Sequence, residues 1–149
     1  MVKLPDENYP ELIDHLGWRL WRAARRWKAE FDARMAAEGF AWFTEGRSAL
    51  LGHVGPSGVR QNDLVRRMGL TKQAVQQIVD ELAAEGIVAR RPDPADARGR
   101  IVVLTAAGVA AAHAANDVKR AIDAEQRERL GPERFEALIE ALRAFAPDR

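Results

Sequence analysis

Between Gln61 and Ile78 three residues stand at spacings that leave few ways to fold. Val65 is small enough for two helices to cross closely. Gly69, four residues on, can take the left-handed backbone conformation of a tight turn, and Val75, six further, packs back on the first helix. The spacing predicts a helix over 61–68, with Leu64, Val65 and Met68 inward. It predicts a second over 72–85, capped by Thr71, stopped by Gly86, with Val75, Ile78, Val79 and Leu82 inward. The apolar period then shortens. Ile87-Val88-Ala89 begin a strand ending at Arg90-Arg91, residues 92–99 make a turn-rich loop with Pro92 and Pro94, and the β-branched run 100–104 returns. Helix, turn, helix and hairpin in that order describe a winged helix-turn-helix. A purely structural helical hairpin is the plain alternative, and the strand pair directly after the helices weighs against it.

The flanks read as helices with faces to cover. Leu12, Ile13, Leu16, Leu20, Ala24, Trp27, Phe31 and Met35 recur at helical steps and predict one helix over 10–37, stopped near Gly39. Trp18 falls nearly opposite that stripe and Trp21 at its edge, which suggests a second contact surface, in a dimer or around a ligand. Thr44 can cap a helix over 45–54 carrying Ala49, Leu50 and Val54, which Gly55-Pro56-Ser57-Gly58 breaks. Thr105 can cap an alanine-rich helix over 106–129. Gly131-Pro132 ends it and opens a last helix with Phe135, Leu138, Ile139, Leu142 and Phe145 on one stripe. The fold class expected is mainly α with a small β-hairpin wing (α+β). It forms a single domain over 1–149, with a winged region at 45–104 and helical dimerisation segments at 8–40 and 105–147. A winged unit of roughly 60 residues cannot cover all three outer helices, whereas a two-fold dimer can. Such a dimer sets its two recognition helices one duplex turn, about 34 Å, apart.

The net charge of +1 hides a segregation. Residues 46–100 hold nine basic and six acidic side chains, while the segments before and after each hold seven basic and eight acidic. A basic middle is the footprint expected of phosphate contact. The amino-terminal part of the second short helix offers Thr71, Lys72, Gln73, Gln76 and Gln77 on its polar face. Glutamine can pair bidentately with adenine, and lysine can reach guanine or phosphate. Arg66 and Arg67 are placed for phosphates, Arg98 marks the hairpin tip, and Arg91 and Arg100 its base. A narrow minor groove attracts an inserted arginine. Asp96 has a local role in this reading, accepting from turn amides or holding the Arg98 guanidinium.

Other function classes find little support. The chain has no cysteine, which excludes disulfides, thiolate metal sites and thiol nucleophiles or sensors. His15, His53 and His113 are too far apart in sequence for a local metal-ligand pair, so no metal and no cofactor are expected. No phosphate-binding loop, nucleophile elbow or dinucleotide fingerprint occurs, and no enzyme is expected. The 101–115 run is too short to span a bilayer, and the first residues have no signal-like apolar core. A cytoplasmic protein without membrane association is expected.

Gly86-Ile87-Val88-Ala89-Arg90-Arg91-Pro92-Asp93-Pro94-Ala95-Asp96-Ala97-Arg98, with Val103-Leu104-Thr105-Ala106-Ala107-Gly108, resembles the wing signature of the MarR family of transcription regulators. The order and lengths of the helices extend the resemblance over nearly the whole chain. It implies a homodimer interleaved through its first, fifth and sixth helices, bound to a pseudo-palindromic duplex. It also implies an aromatic or phenolic effector between the dimerisation and DNA-binding regions. It puts the recognition helix at 71–85, the wing aspartate at Asp96 and the minor-groove arginine at Arg98. Ala97 departs from the family, which commonly has a basic residue there. Family pockets are lined from the first two helices, where His15, Trp18, Trp42, Arg47 and His53 stand. An arginine there could pair with a ligand carboxylate, while core packing and salt bridging are the plain alternatives. A repressor is the expected function. A protein-interaction module that lost DNA binding and a general DNA-coating protein are the competing readings.

Overall fold

The computed structural model describes residues 10–43 and 45–147. The Thr44 cap falls outside them. The chain divides into two compact units, Met1–Glu30 and Phe31–Arg149, and the first helix, α1 (Leu16–Ala37), crosses the boundary. In the first unit the helix begins six residues later than the apolar periodicity predicts. The reason is local. His15 Nδ1 accepts from the Trp18 amide at 3.3 Å, a side-chain cap on the opening turn, and Asp14 takes Nε of Arg19 at 2.7 Å. Leu12 and Ile13 precede the helix and are exposed, as is Leu16. Of the predicted stripe on α1, only Phe31 and Met35 are buried.

The second unit continues with α2 (Glu45–Gly52), β1 (Val59–Arg60), α3 (Gln61–Met68) and α4 (Lys72–Ala84). After these come β2 (Val88–Asp93), β3 (Asp96–Leu104), α5 (Ala106–Leu130) and α6 (Pro132–Phe145). Its core gathers Phe31 and Met35, Phe43, Leu50, Leu64, Val75, Val79, Leu82, Val102, Ala115 and Ile122. Phe31 and Phe43 meet at 5.8 Å between ring centres. The turn between α3 and α4 takes the expected form: Gly69 has φ +63°, and Thr71 Oγ1 accepts from the Ala74 amide at 3.1 Å.

Two expectations need correction. α2 ends at Gly52, so Val54 reaches the core from the loop after the helix. The hairpin has no long loop: β2 and β3 run to the tip, with only Pro94 and Ala95 between them. Pro92 pairs with Arg100 inside the ladder, which is tolerated because β2 is an edge strand in the antiparallel order β1-β3-β2. A bulge follows between Pro92 and Asp93. On α6 only Phe135 of the stripe is buried within the chain, and Leu138, Leu142 and Phe145 are exposed, a face still to be covered as expected of this helix. The strand β1 is an addition, too short to show a period. Gly58, at φ +78°, lets it lie on β3, where a Cβ would stand 2.7 Å from the Val102 carbonyl oxygen.

Candidate nucleic-acid interface

The start of α3, the amino-terminal turns of α4 and the hairpin surround one open polar cleft of about 640 Å³, with Lys72, Gln76, Arg90, Arg98 and Arg100 on its walls. Thr71, Lys72, Gln73, Gln76 and Gln77 are all exposed, as the helical phase of Val75 and Val79 requires. The capped amino terminus of α4 adds the positive end of a helix dipole to this side.

The basic residues differ in how they are held. Arg66 pairs with Asp63, one helical turn back. Arg67 Nη1 donates weakly to the His53 carbonyl at 3.5 Å. Arg91 Nη2 donates to the Ser57 carbonyl at 2.6 Å, and Arg100 Nη1 to the Gly99 carbonyl at 2.9 Å. At the tip, Asp96 Oδ1 accepts from the Arg98 amide at 2.9 Å. Of the two local roles open to Asp96, the structure shows the turn-amide one. No ion pair joins its carboxylate to the Arg98 guanidinium among the described residues.

Sequence reasoning missed Asp93, Arg60 and Arg90. Asp93 is 5% exposed, and its Oδ2 meets Arg60 Nε at 2.7 Å while its Oδ1 accepts from the Ala95 amide at 2.9 Å. It folds the tip and fastens the hairpin to β1. The Asp93-Pro94 pair announces a turn, but nothing in sequence announces a partner more than 30 positions away. Arg90 Nη2 lies 2.7 Å from Asp80 Oδ1 on α4. The approach is off the N–H axis, so this is charge pairing more than a directed hydrogen bond.

The five candidate effector residues lie in both units. In the first unit, beside His15, Trp18 stacks on Trp21 with 4.8 Å between ring centres, and Arg25 sits 4.8 Å from the Trp21 ring centre. In the second, Trp42 packs on Phe43 at 5.4 Å, and His53 ends the turn after α2. Arg47 is engaged: its two Nη atoms hold Glu81 at 2.9 Å and Glu85 at 2.7 Å, clamping α2 to α4 and its C-cap. The side chain that could have met a ligand carboxylate thus already has two of its own.

This clamp and its neighbours carry an acid dependence. Hydrogen bonds from Arg47, then Gln77, hold the Glu81 carboxyl below its usual range. A hydrogen bond from Gln76, then the pairing with Arg90, lowers Asp80 likewise, and a hydrogen bond from Arg34 lowers Glu125. A carboxyl with a depressed folded pKa stabilises the fold above its unfolded pKa, and that contribution is lost as pH falls through the folded value. The thermal midpoint, followed by circular dichroism, should therefore stay level from neutrality to about pH 5 and decline below it. The Glu81→Gln variant should show a shallower decline.

No group of three or more metal-ligating side chains comes together among the described residues, and no described helix is long and apolar enough to cross a membrane.

A three-stranded wing behind a glycine-turned helix pair, with polar side chains leading the second helix, defines a winged helix-turn-helix protein. A model of the MarR family matches residues 44–99, the winged segment itself. The chain aligns with wild-type apo MarR from E. coli at TM-score 0.75 and 20% identity, over 92% of this chain and all of that one. The repressor CouR bound to a 23-mer DNA duplex aligns at TM-score 0.74 and 25% identity, over 89% of this chain and 92% of that one. A point mutant of S. aureus MepR bound to an oligodeoxyribonucleotide aligns at TM-score 0.63 and 19% identity, over 89% and 96%. Comparison with curated protein sequences gives no match. The winged segment is thus similar to the MarR family of transcriptional regulators, and the chain as a whole shares the fold of the solved MarR structures.

Proposed function

We propose that the protein is a homodimeric, sequence-specific DNA-binding regulator in the cytoplasm. It represses by occupying a pseudo-palindromic operator and is released by a small aromatic or phenolic effector. The observation that carries the DNA reading is the shared cleft: Lys72 at the start of α4 and Arg98 at the hairpin tip line one opening, the pairing that a major-groove reader and a minor-groove finger would need. The DNA-bound states of CouR and of the MepR mutant support it. Dimerisation is supported by the apolar side chains that α1 and α6 leave in water: Leu16, Leu138, Leu142 and Phe145 are each more than a third exposed.

A salt series on duplex DNA tests the reading. A specific dimer shows steep salt dependence together with preference for one inverted repeat. A coating protein shows the first without the second, and an interaction module shows neither. Gln73, which has no side-chain partner among the described residues, is the foremost base reader. Gln73→Ala should cost about 1–3 kcal/mol, confined to one base pair per half-site. Equal losses across all single-base operator variants would reject the assignment. For the effector, a titration of phenols and aromatic acids followed by tryptophan fluorescence should release DNA in step with the optical change. Optical silence with DNA retained counts against an effector.

A further inference from the structure

Gln76 and Gln77 sit where a reader of bases is expected, yet their amides are engaged within the protein. Gln76 Nε2 donates to both carboxylate oxygens of Asp80 at 3.0 Å, and its Oε1 accepts from Gln61 Nε2. Gln61 Oε1 in turn accepts from Arg90 Nε at 3.2 Å, and Arg90 reaches back to Asp80 at 2.7 Å. The four side chains close a ring that joins the start of α3, the middle of α4 and the base of the hairpin. Three of the elements that face the cleft, α3, α4 and β2, contribute to it. Near the hairpin tip the Arg60–Asp93 pair makes a second tie, from the residue just before α3.

From this ring we infer that Gln76 is a positioning residue rather than a base reader. Together with Gln61, Asp80 and Arg90 it locks the recognition helix and the wing into one rigid reading head, and base discrimination falls to Lys72 and Gln73. The inference deepens the DNA-binding reading and rests on it. An amide with both ends engaged has to give up its contacts to Asp80 and Gln61 before it can pair with adenine. Lys72 and Gln73 carry no such tie among the described residues. A head held at two points also fixes the distance between the α4 terminus and Arg98, so each finds its groove without first being ordered.

Two measurements decide it. In the free protein, Gln76→Ala and Asp80→Asn should raise amide exchange rates across β2 and β3 by about fivefold to tenfold while leaving α5 unchanged, because the ring is local. Unchanged exchange in the hairpin overturns the strut, whether or not the protein binds DNA. The second uses the duplex that the wild-type protein selects best from a random library, together with its single-base variants. Gln76→Ala should weaken all of them by a common factor of about five to ten and preserve their ranking. The double variant Gln76→Ala/Arg90→Gln should fall no further than the worse single one. Loss of discrimination at one base pair in Gln76→Ala makes Gln76 a reader and overturns the inference. If the wild type selects no duplex, the DNA reading fails instead, and the exchange result still stands for or against the strut.

Discussion

Replacing Gly108 by alanine should destabilise the protein by about 3 kcal/mol, although a glycine-to-alanine change inside a helix ordinarily stabilises by up to about 1 kcal/mol. The reversal comes from one contact. A Cβ on Gly108 would stand 2.2 Å from the Ile87 carbonyl oxygen and 3.4 Å from Leu104 Cβ. That carbonyl cannot yield cheaply, since it accepts from the Thr105 amide and from Thr105 Oγ1, each at 3.0 Å. The same hydroxyl accepts from the Gly108 amide at 3.2 Å, capping α5. A methyl group here pushes apart the chain leaving the recognition helix and the helix that carries it. Urea unfolding should show a lower midpoint at unchanged slope. Gly52→Ala serves as the control, because a Cβ there meets nothing within 4 Å. A Gly108 variant as stable as the wild type would mean that α5 does not approach the Ile87 carbonyl so closely.

The second large effect is on binding. Arg98→Ala should reduce affinity for the selected operator by about 30-fold to 1,000-fold. In the proposed dimer an arginine contact of about 1–2 kcal/mol would be lost in each half-site, and the slope of log K against log salt should shrink by about two. Arg98 is exposed at the hairpin tip, and the Asp96 bond is to its backbone amide, so the turn survives the substitution. Subunit association and helix content should stay at wild-type values. Arg98→Lys keeps the charge without the planar fork and should recover only part of the loss. Wild-type affinity in Arg98→Ala would remove the wing from the interface and leave the recognition helix alone to explain binding.

What the sequence made legible was local. Gly69, Thr71, Gly86 and Thr105 act on neighbours within a few residues, and each turn or cap they announce is present. The helix-turn-helix followed from Val65, Gly69 and Val75 because a helix period shows in a dozen residues. Two kinds of feature stayed hidden. Apolar stripes do not say what covers them: Leu138, Leu142 and Phe145 keep perfect helical phase and are nonetheless exposed in the chain. Polar partners also stayed hidden, since charged side chains 10 to 40 positions apart carry no periodic mark. Arg47 could be read as a ligand group only because its hold on Glu81 and Glu85 is invisible in one dimension. Pro92 misled for a related reason: a proline breaks a central strand and is harmless at an edge, and strand order is a property of the sheet alone.

That edge has a further consequence. A wing long enough to reach DNA presents open backbone to water whenever the protein is unbound, and open strands recruit one another. Here the β2 margin carries Pro92 and a bulge. Both interrupt the run of free amides and carbonyls to which a neighbouring molecule could add a strand, so on that margin the features that shape the finger also guard against polymerisation.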